Sequence, residues 1–249
     1  MSRFFSPPES VKDDKIFIEG KEAHHLLKVM RLKKGDEVAI FDGQGNSYEG
    51  PIIEEGKKSA IVKILTRKKV KRLNQPSITL AQGIPARGKM DYLVEKATEL
   101  GVDKIFPLET QRSVVKMNRT KAEAARRRWE KIAVSASKQS GRVSLPVISR
   151  IIKFSQFLRK IAEFDLVLFF CLSSEGGALK RNIRHKGRPC NILVLIGPEG
   201  GFSSEEIKQA KLSGFNLINL GANVLKSDTA ALAVLSILQY EYGGGHQWR

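Results

Sequence analysis

The sequence predicts an α/β fold in two parts: a parallel sheet with helices on both faces, preceded by a small barrel of short strands. Three observations carry this reading. From Ser77 onward, apolar strand-like runs alternate with segments of helical spacing, the signature of a parallel α/β domain. Phe164 to Leu172 and Asn191 to Ile196 are almost continuously apolar, as expected of strands covered on both faces. Before Thr66, by contrast, short apolar runs are separated by closely spaced turns, the pattern of a compact barrel.

In chain order, Arg3 to Phe5 and Lys15 to Ile18 read as short strands. Lys21 to Met30 reads as a helix through Ala23, Leu26, Leu27 and Met30. Glu37 to Phe41, Tyr48 to Ile53 and Ser59 to Leu65 alternate with glycine turns around Gly35, Gly43 and Gly56. His24 and His25 have no partner at metal or catalytic spacing and read as ordinary helix-face residues, while Arg31 is placed to meet a phosphate. Thr66 to Pro76, polar and rich in lysine and arginine, marks the boundary between domains 1–72 and 73–249. Beyond it come a strand over Ser77 to Gln82, a turn over Gly83 to Lys89, and a helix over Met90 to Leu100 that stops at Gly101. A strand over Lys104 to Leu108 follows, then a long basic helix over Lys121 to Ser140 with Trp129, Ile132, Ala133 and Ala136 on one face.

Composition narrows the class. The hydrophobic fraction of 41% over 249 residues is enough for one large core or two smaller ones and excludes disorder throughout. No run approaches the roughly 18 apolar residues of a membrane span, and the start lacks a secretory signal, so a soluble cytoplasmic protein is expected. Cys171 and Cys190, in or beside strand-like runs, read as buried thiols, and no cluster has metal-ligand spacing. The net charge of +17 is unevenly spread. Basic residues outnumber acidic ones 16 to 11 over residues 1–75, 18 to 7 over 76–160 and only 9 to 8 over 161–249. A basic belt beside a neutral carboxyl-terminal third reads as the footprint of a polyanion partner, a nucleic acid foremost, with a solvated basic surface as the alternative that charge alone leaves open.

Two strand-to-turn-to-helix junctions hold the site. In Gly197-Pro198-Glu199-Gly200-Gly201-Phe202 the proline fixes its φ, and the glycines permit positive φ and a close backbone approach by a ligand. Ser203 and Glu206 form a capping box that starts the next helix. No Gly-Lys-Ser/Thr follows and the G-x-G-x-x-G spacing is missing, which excludes a phosphate loop and a dinucleotide fingerprint and leaves two readings, an ordinary tight connection, favoured by the glycines alone, and a ligand held by backbone groups. The second junction, Leu220 to Thr229, sets a cation, a hydroxyl and a carboxylate at the start of an apolar helix, with Ser227 or Asp228 expected to cap it. Lys226 is unfavourable beside a helix N-terminus and implies another partner.

LIGPEGGFSSEEI, LGANVLKSDTAAL, LVEKATELGVDKIFPLETQRSV, SASKQSGR and the opening RFF together resemble the RsmE family, the 16S rRNA uracil(1498)-N3 methyltransferases of the SPOUT superfamily. The resemblance covers nearly the whole chain. It implies an amino-terminal PUA-like barrel for RNA, a carboxyl-terminal knotted α/β domain, S-adenosyl-L-methionine as methyl donor, 16S rRNA or the small ribosomal subunit as substrate, and a homodimer. Carried over, it makes Leu172, Ile196, Gly197, Pro198, Glu199, Gly200, Gly201, Leu220, Gly221, Val224, Leu225 and Thr229 the methyl-donor pocket. Arg3, Arg31, Arg87, Lys89 and Arg112 become RNA contacts, and Glu95, Gln139 and Gly141 match further family positions. Lys226, Asp228 and Arg142 are the catalytic candidates, with a cation on the uracil oxygens and Asp228 as its orienter or as base. Two departures stand out: Leu225-Lys226-Ser227-Asp228-Thr229 where Leu-Arg-Thr-Glu-Thr is common, and Lys138 where an acidic residue is common. The competing readings are a SPOUT enzyme acting on a ribose 2′-hydroxyl and a non-catalytic RNA-binding protein.

Overall fold

Closely spaced turns leave room only for short strands in the first 70 residues, and short strands form. The computed structural model describes residues 2–70, 75–86, 88–113, 116–172, 176–184 and 188–243. Arg87 and residues 244–249 of the tail lie outside the described residues. Two compact units divide the chain, Met1–Arg72 with Val134–Leu145 and Leu73–Ala133 with Pro146–Arg249.

In the first unit the strands are β1 (Arg3–Phe5), β2 (Val11–Lys12), β3 (Lys15–Glu19), β4 (Glu37–Phe41), β5 (Asn46–Glu55), β6 (Ser59–Lys63) and β7 (Thr66–Lys69). They join in the order β1-β4-β5-β6-β3-β2, with β7 also on β5. The long strand β5 therefore has three partners, and the sheet curls around Phe4, Ile16, Ile18, Leu26, Val38, Ile40, Ile52 and Val62. Helix α1 (Gly20–His24) continues as a π-helical turn over His25–Val29, so the expected helix is present but widened in its second half. The basic connector also differs from expectation, because its first four residues are a strand. Thr66 and Arg67 pair with Glu49 and Tyr48, the Arg67 guanidinium sits 5.2 Å from the centre of the Tyr48 ring, and Lys68 lies 3.6 Å from Glu49.

Residues 134–145 supply the rest of this unit. Lys138 Nζ donates to the Glu22 carboxylate at 2.9 and 3.1 Å, lies 3.4 Å from His25 Nδ1, and sits 5.5 Å from the Phe4 ring centre. That cluster gives a local reason for a lysine at a position where the resemblance expects an acid.

The second unit is a parallel sheet in the order β10-β9-β8-β14-β12-β15-β13. Its strands are β8 (Ser77–Gly83), β9 (Lys104–Glu109), β10 (Val147–Ile148), β11 (Ile152–Lys153, on β9), β12 (Leu166–Phe170), β13 (Gly177–Ala178), β14 (Asn191–Ile196) and β15 (Leu217–Asn219). The helices are α2 (Lys89–Glu99), α3 (Arg119–Ser140, whose last residues belong to the first unit), α4 (Phe154–Phe157), α5 (Leu179–Arg184), α6 (Ser204–Leu212) and α7 (Ser227–Tyr242). Alternation along β14 explains its unbroken apolar sequence. Ile192, Val194 and Ile196 enter one core with α2 and α7, while Leu193 and Leu195 enter the other with α4 and α6. Gly101 ends α2 at φ +81°, as its sequence implied. Both cysteines are more open than expected: Cys171 is half-buried at the end of β12 and Cys190 is exposed just before β14. Among the described residues, no helix is long and apolar enough to cross a membrane.

Leu193 is wholly buried in the centre of this sheet. Leu193→Ala should lower unfolding stability by about 2–5 kcal/mol, the range for a truncated core leucine. Urea denaturation with an unchanged slope would register it.

Candidate functional site

Parallel pairing places β12 between β14 and β15, so the carboxyl ends of three neighbouring strands lie side by side. Ligands bind at such ends in open α/β sheets. Here a cavity of about 660 Å³ opens there, walled by the turn after β14, the end of β12 and the turn after β15. Its volume falls in the range of small-molecule sites.

The first turn is built to hold its shape. Gly201, at φ +66°, donates its amide to Pro198 O at 2.9 Å. A Cβ on Gly197 would come within 3.1 Å of Gly201, so any larger residue there would press the loop apart by a few tenths of an ångström. Phe202 anchors the exit, its ring 4.6 Å from Phe169 and 5.2 Å from Phe154. The capping box forms as read, with Ser203 N donating to Glu206 at 2.9 Å and Glu206 N to Ser203 Oγ at 3.1 Å. The buried Glu206 carboxylate also accepts from Gln111 N at 2.9 Å, and next to it Arg112 Nη1 donates to Gly200 O at 2.9 Å.

Glu199 faces the start of α2. Its carboxylate accepts from Ala86 N at 3.1 Å on each oxygen and from Lys89 Nζ at 2.8 Å. Partial burial works to raise the Glu199 pKa, but the Lys89 hydrogen bond and the amides of Ala86 and Glu199 itself outweigh it, and the carboxyl is held below its ordinary value. The Lys89 ammonium is pushed up, by the Glu199 hydrogen bond above all and by the charges of Glu199 and Asp228, against the opposing pull of desolvation.

The second turn follows β15 through Gly221 at φ +108°. Val224 is 72% exposed and Leu172, at the end of β12, is 75% exposed, so two large apolar side chains stand open at the cavity. The start of α7 differs from the sequence reading. Lys226 is the N-cap residue and makes no side-chain cap bond. The Ser227 hydroxyl instead donates to Gly197 O, joining the two turns, and Asp228 Oδ1 accepts from Thr229 N at 2.9 Å. Capping lost to a tertiary hydrogen bond because the Gly197 carbonyl lies within reach of Ser227.

Of the expected pocket residues, Leu172, Ile196, Gly197, Pro198, Glu199, Gly200, Gly201, Leu220, Gly221, Val224 and Leu225 all line the cavity; Thr229 does not. Lys226 and Arg112 line it as well, whereas Asp228 is outside its lining. Arg3, Arg31 and Arg142 belong to the first unit. There Arg142 Nε lies 3.4 Å from Ser144 Oγ, Arg31 takes a positive φ of 54°, and burial lowers the Arg3 pKa from its ordinary value against the opposing charge of Glu49. Cys171 and Asn219 line the cavity without having been assigned to it from sequence, although each directly adjoins a residue that was. Among the described residues no group of three or more His, Cys, Asp or Glu could hold a metal ion.

A two-part chain with such a site has a defined class. The family model described as RNA methyltransferase domain matches residues 71–239, and that described as RNA methyltransferase PUA domain matches residues 18–65. The chain is 31% identical over 230 residues to the ribosomal RNA small subunit methyltransferase E of Bacillus subtilis, covering 90% of this chain and 89% of that one. The solved ribosomal RNA small subunit methyltransferase E of Neisseria gonorrhoeae, bound to S-adenosyl methionine, superposes with a TM-score of 0.85 at 30% identity, over 97% of this chain and 98% of that chain. A methyltransferase structure from Legionella pneumophila, in complex with bound SAM, gives 0.87 at 30% identity over 96% and 97%. The chain belongs to the ribosomal RNA small subunit methyltransferase E family.

The Glu199 and Lys89 shifts set a pH window. The Glu199 pKa is depressed below 4.5, so its contribution is full above that value and is lost as pH falls through the folded pKa; Lys89 is raised above 10.5, so its contribution is full below that value and is lost as pH rises through the folded pKa. The melting-temperature gap between wild type and Glu199→Gln should therefore stay constant from about pH 6 to 9 and close in acid. Scanning calorimetry across pH would check it.

Proposed function

We propose that this chain transfers a methyl group from S-adenosyl-L-methionine to N3 of a uracil in 16S ribosomal RNA, the position numbered 1498. The observation that carries the reading is the cavity at the carboxyl ends of β14, β12 and β15, formed by eleven of the twelve residues that the resemblance assigns to the methyl donor. The residues present fit that group. Gly197, Gly200 and Gly201 leave backbone open to an adenine edge, and Leu172, Ile196, Leu220, Val224 and Leu225 supply apolar flanks. When bound, the donor supplies an electrophilic methyl carbon on a sulfonium.

The remaining work falls to the chain. Uracil N3 carries a proton at neutral pH, and methylation requires that proton to leave as the N3–methyl bond forms. Lys226, at the wall of the cavity and with no helix-capping bond, is the cation for the charge that develops on the ring oxygens, and Arg142 is the second candidate. Asp228, two residues further on, orients the cation or takes the proton. Arg3, Arg31, Arg87, Lys89 and Arg112 are the candidates for contacts to the RNA backbone, which would offset the few kcal/mol spent on extruding a stacked base.

We assign residues 1–72 to RNA recognition and 73–249 to methyl transfer, a division supported by the family matches at 18–65 and 71–239. The knot implied by the resemblance belongs to the second part, and a ribosomal substrate puts the work in the cytoplasm. A homodimer is supported by α7. Ala233, Ile237 and Tyr240 recur at helical spacing, with Ile237 38% and Tyr240 86% exposed, leaving an apolar stripe for a second copy.

Incubation of the protein with labelled S-adenosyl-L-methionine and unmodified small subunits should place the label in 3-methyluridine, and Lys226→Ala should lower the rate at saturating substrates by about 10²-fold or more. Label in a 2′-O-methylnucleoside would replace this reading with ribose methylation, and donor binding without transfer would leave a non-catalytic RNA binder. Ile237→Asp with Tyr240→Asp should convert a dimer to a monomer in light scattering; a monomeric wild type would remove the dimer.

A further inference from the structure

One buried side chain ties the two turns together from behind the cavity. Gln82 is the penultimate residue of β8, is fully buried, and shares its strand face with Ile78 and Leu80. It stands in register with Ile196, the last residue of β14. An amide is out of place on such a face, because it loses its hydration on burial unless its hydrogen bonds are replaced. Here its Nε2 lies 2.9 Å from Gly83 O, 3.2 Å from Gly197 O and 2.9 Å from Ser227 Oγ.

Directionality fixes the network. Two of the three neighbours are carbonyl oxygens, so the NH₂ group must face them. Its two hydrogens face three acceptors, so one is shared between two of them, and Ser227, accepting from Gln82, gives its own proton to Gly197 O. The first residue of one turn and the first residue of α7 are thereby joined to the end of β8. Gly83 seats the same turn, since a Cβ there would lie 2.5 Å from Pro198 Cδ and 2.7 Å from Pro198 N. The other polar atom of the side chain, Gln82 Oε1, is buried with no partner among the described residues. Retaining an amide whose acceptor goes unmatched is costly, and it is explained by what its NH₂ group does.

Sheet stability does not need that group. Backbone pairing already locks Ser77–Gln82 against Asn191–Ile196 residue by residue. Gly197 and Ser227 lie just past the strand ends, where no ladder reaches, and the amide acts there. We propose that Gln82, acting through Ser227 and with Gly83 as the seat, is a positioning residue that holds the first turn and the start of α7 in one fixed geometry for the methyl donor. This rests on the S-adenosyl-L-methionine reading of the cavity. Gln82 is outside the cavity lining, so its effect is preorganisation: without it the ligand must order both turns itself, and affinity falls.

Calorimetric titration of S-adenosyl-L-methionine into wild type, Gln82→Leu, Ser227→Ala and the double variant tests it. Each single change should weaken binding about tenfold, and the double variant should be no more than about two- to threefold weaker than either single, because both break one network. Melting temperature should fall by only a few degrees in Gln82→Leu, because the strand pairing is kept and Gly197 O retains Ser227 as donor. Ser227→Thr, which keeps the hydroxyl, should recover most of the affinity lost in Ser227→Ala, and the donor KM should rise more than kcat falls. If Gln82→Leu does not fold, Gln82→Met serves in its place. Binding by the Gln82 variant within about twofold of wild type, or single losses that multiply to about a hundredfold in the double, would overturn the inference. No binding by wild type would instead sink the methyl-donor reading on which it rests, a result visible before any variant is made.

Discussion

Parallel pairing of β12 with both β14 and β15 is the constraint on which the site depends. It aligns three chain directions, so that the segments leaving those strands emerge together at one edge of the sheet. It also demands helices over both faces, which is why Leu166–Phe170 and Asn191–Ile196 carry scarcely a polar residue and why α2, α7, α4 and α6 divide between two cores. The cavity is what remains where the strands stop and neither helical layer closes over their ends.

A loop of glycines at such an edge would be loose without help, and the help comes from distant parts of the chain. Glu199 is held by Ala86 and Lys89, Gly200 by Arg112, Gly197 by Gln82 and Ser227, and the helix beyond the turn by Glu206 and Gln111. These bonds come from the end of β8, from the segments after β8 and β9 and from the starts of α2 and α7. The turn keeps its backbone open to a ligand because its shape is imposed from outside. Lys89 and Arg112, read from sequence as RNA contacts, are engaged with this turn, so a charge expected to face a phosphate also shapes the neighbouring pocket.

The first unit illustrates a different balance. Its core is ordinary, but residues 134–145, remote in sequence from the strands, complete it through Lys138, Glu22, His25 and Phe4. Lys138 looked like a departure from a family pattern. In the fold it is the partner of a particular carboxylate, and the two belong to the same local solution. Ser227 is a parallel case in the second unit: a hydroxyl suited to capping its own helix is drawn instead to a carbonyl some thirty residues earlier in the chain.

Local chemistry was enough to read most elements. Apolar periodicity located β14 to the residue, Ser203 and Glu206 announced the start of α6, and Gly101 the end of α2. The first turn, which lines the cavity, was legible too, because proline and glycine act on their own backbone whatever surrounds them. The strand at Thr66–Lys69, the N-cap at Lys226, the pairing of Lys89 with Glu199 and the bonds of Gln82 were not legible. Each depends on a partner distant in sequence, and no property of a glutamine in the string SITLAQG indicates that its amide will meet Gly197 and Ser227. The sequence by itself determined most of the strands and helices and the two turns that line the cavity, since those follow from contacts within a few residues. Only the tertiary structure decided which side chains hold the turns, since that requires β8, β14 and α7 to be brought together first.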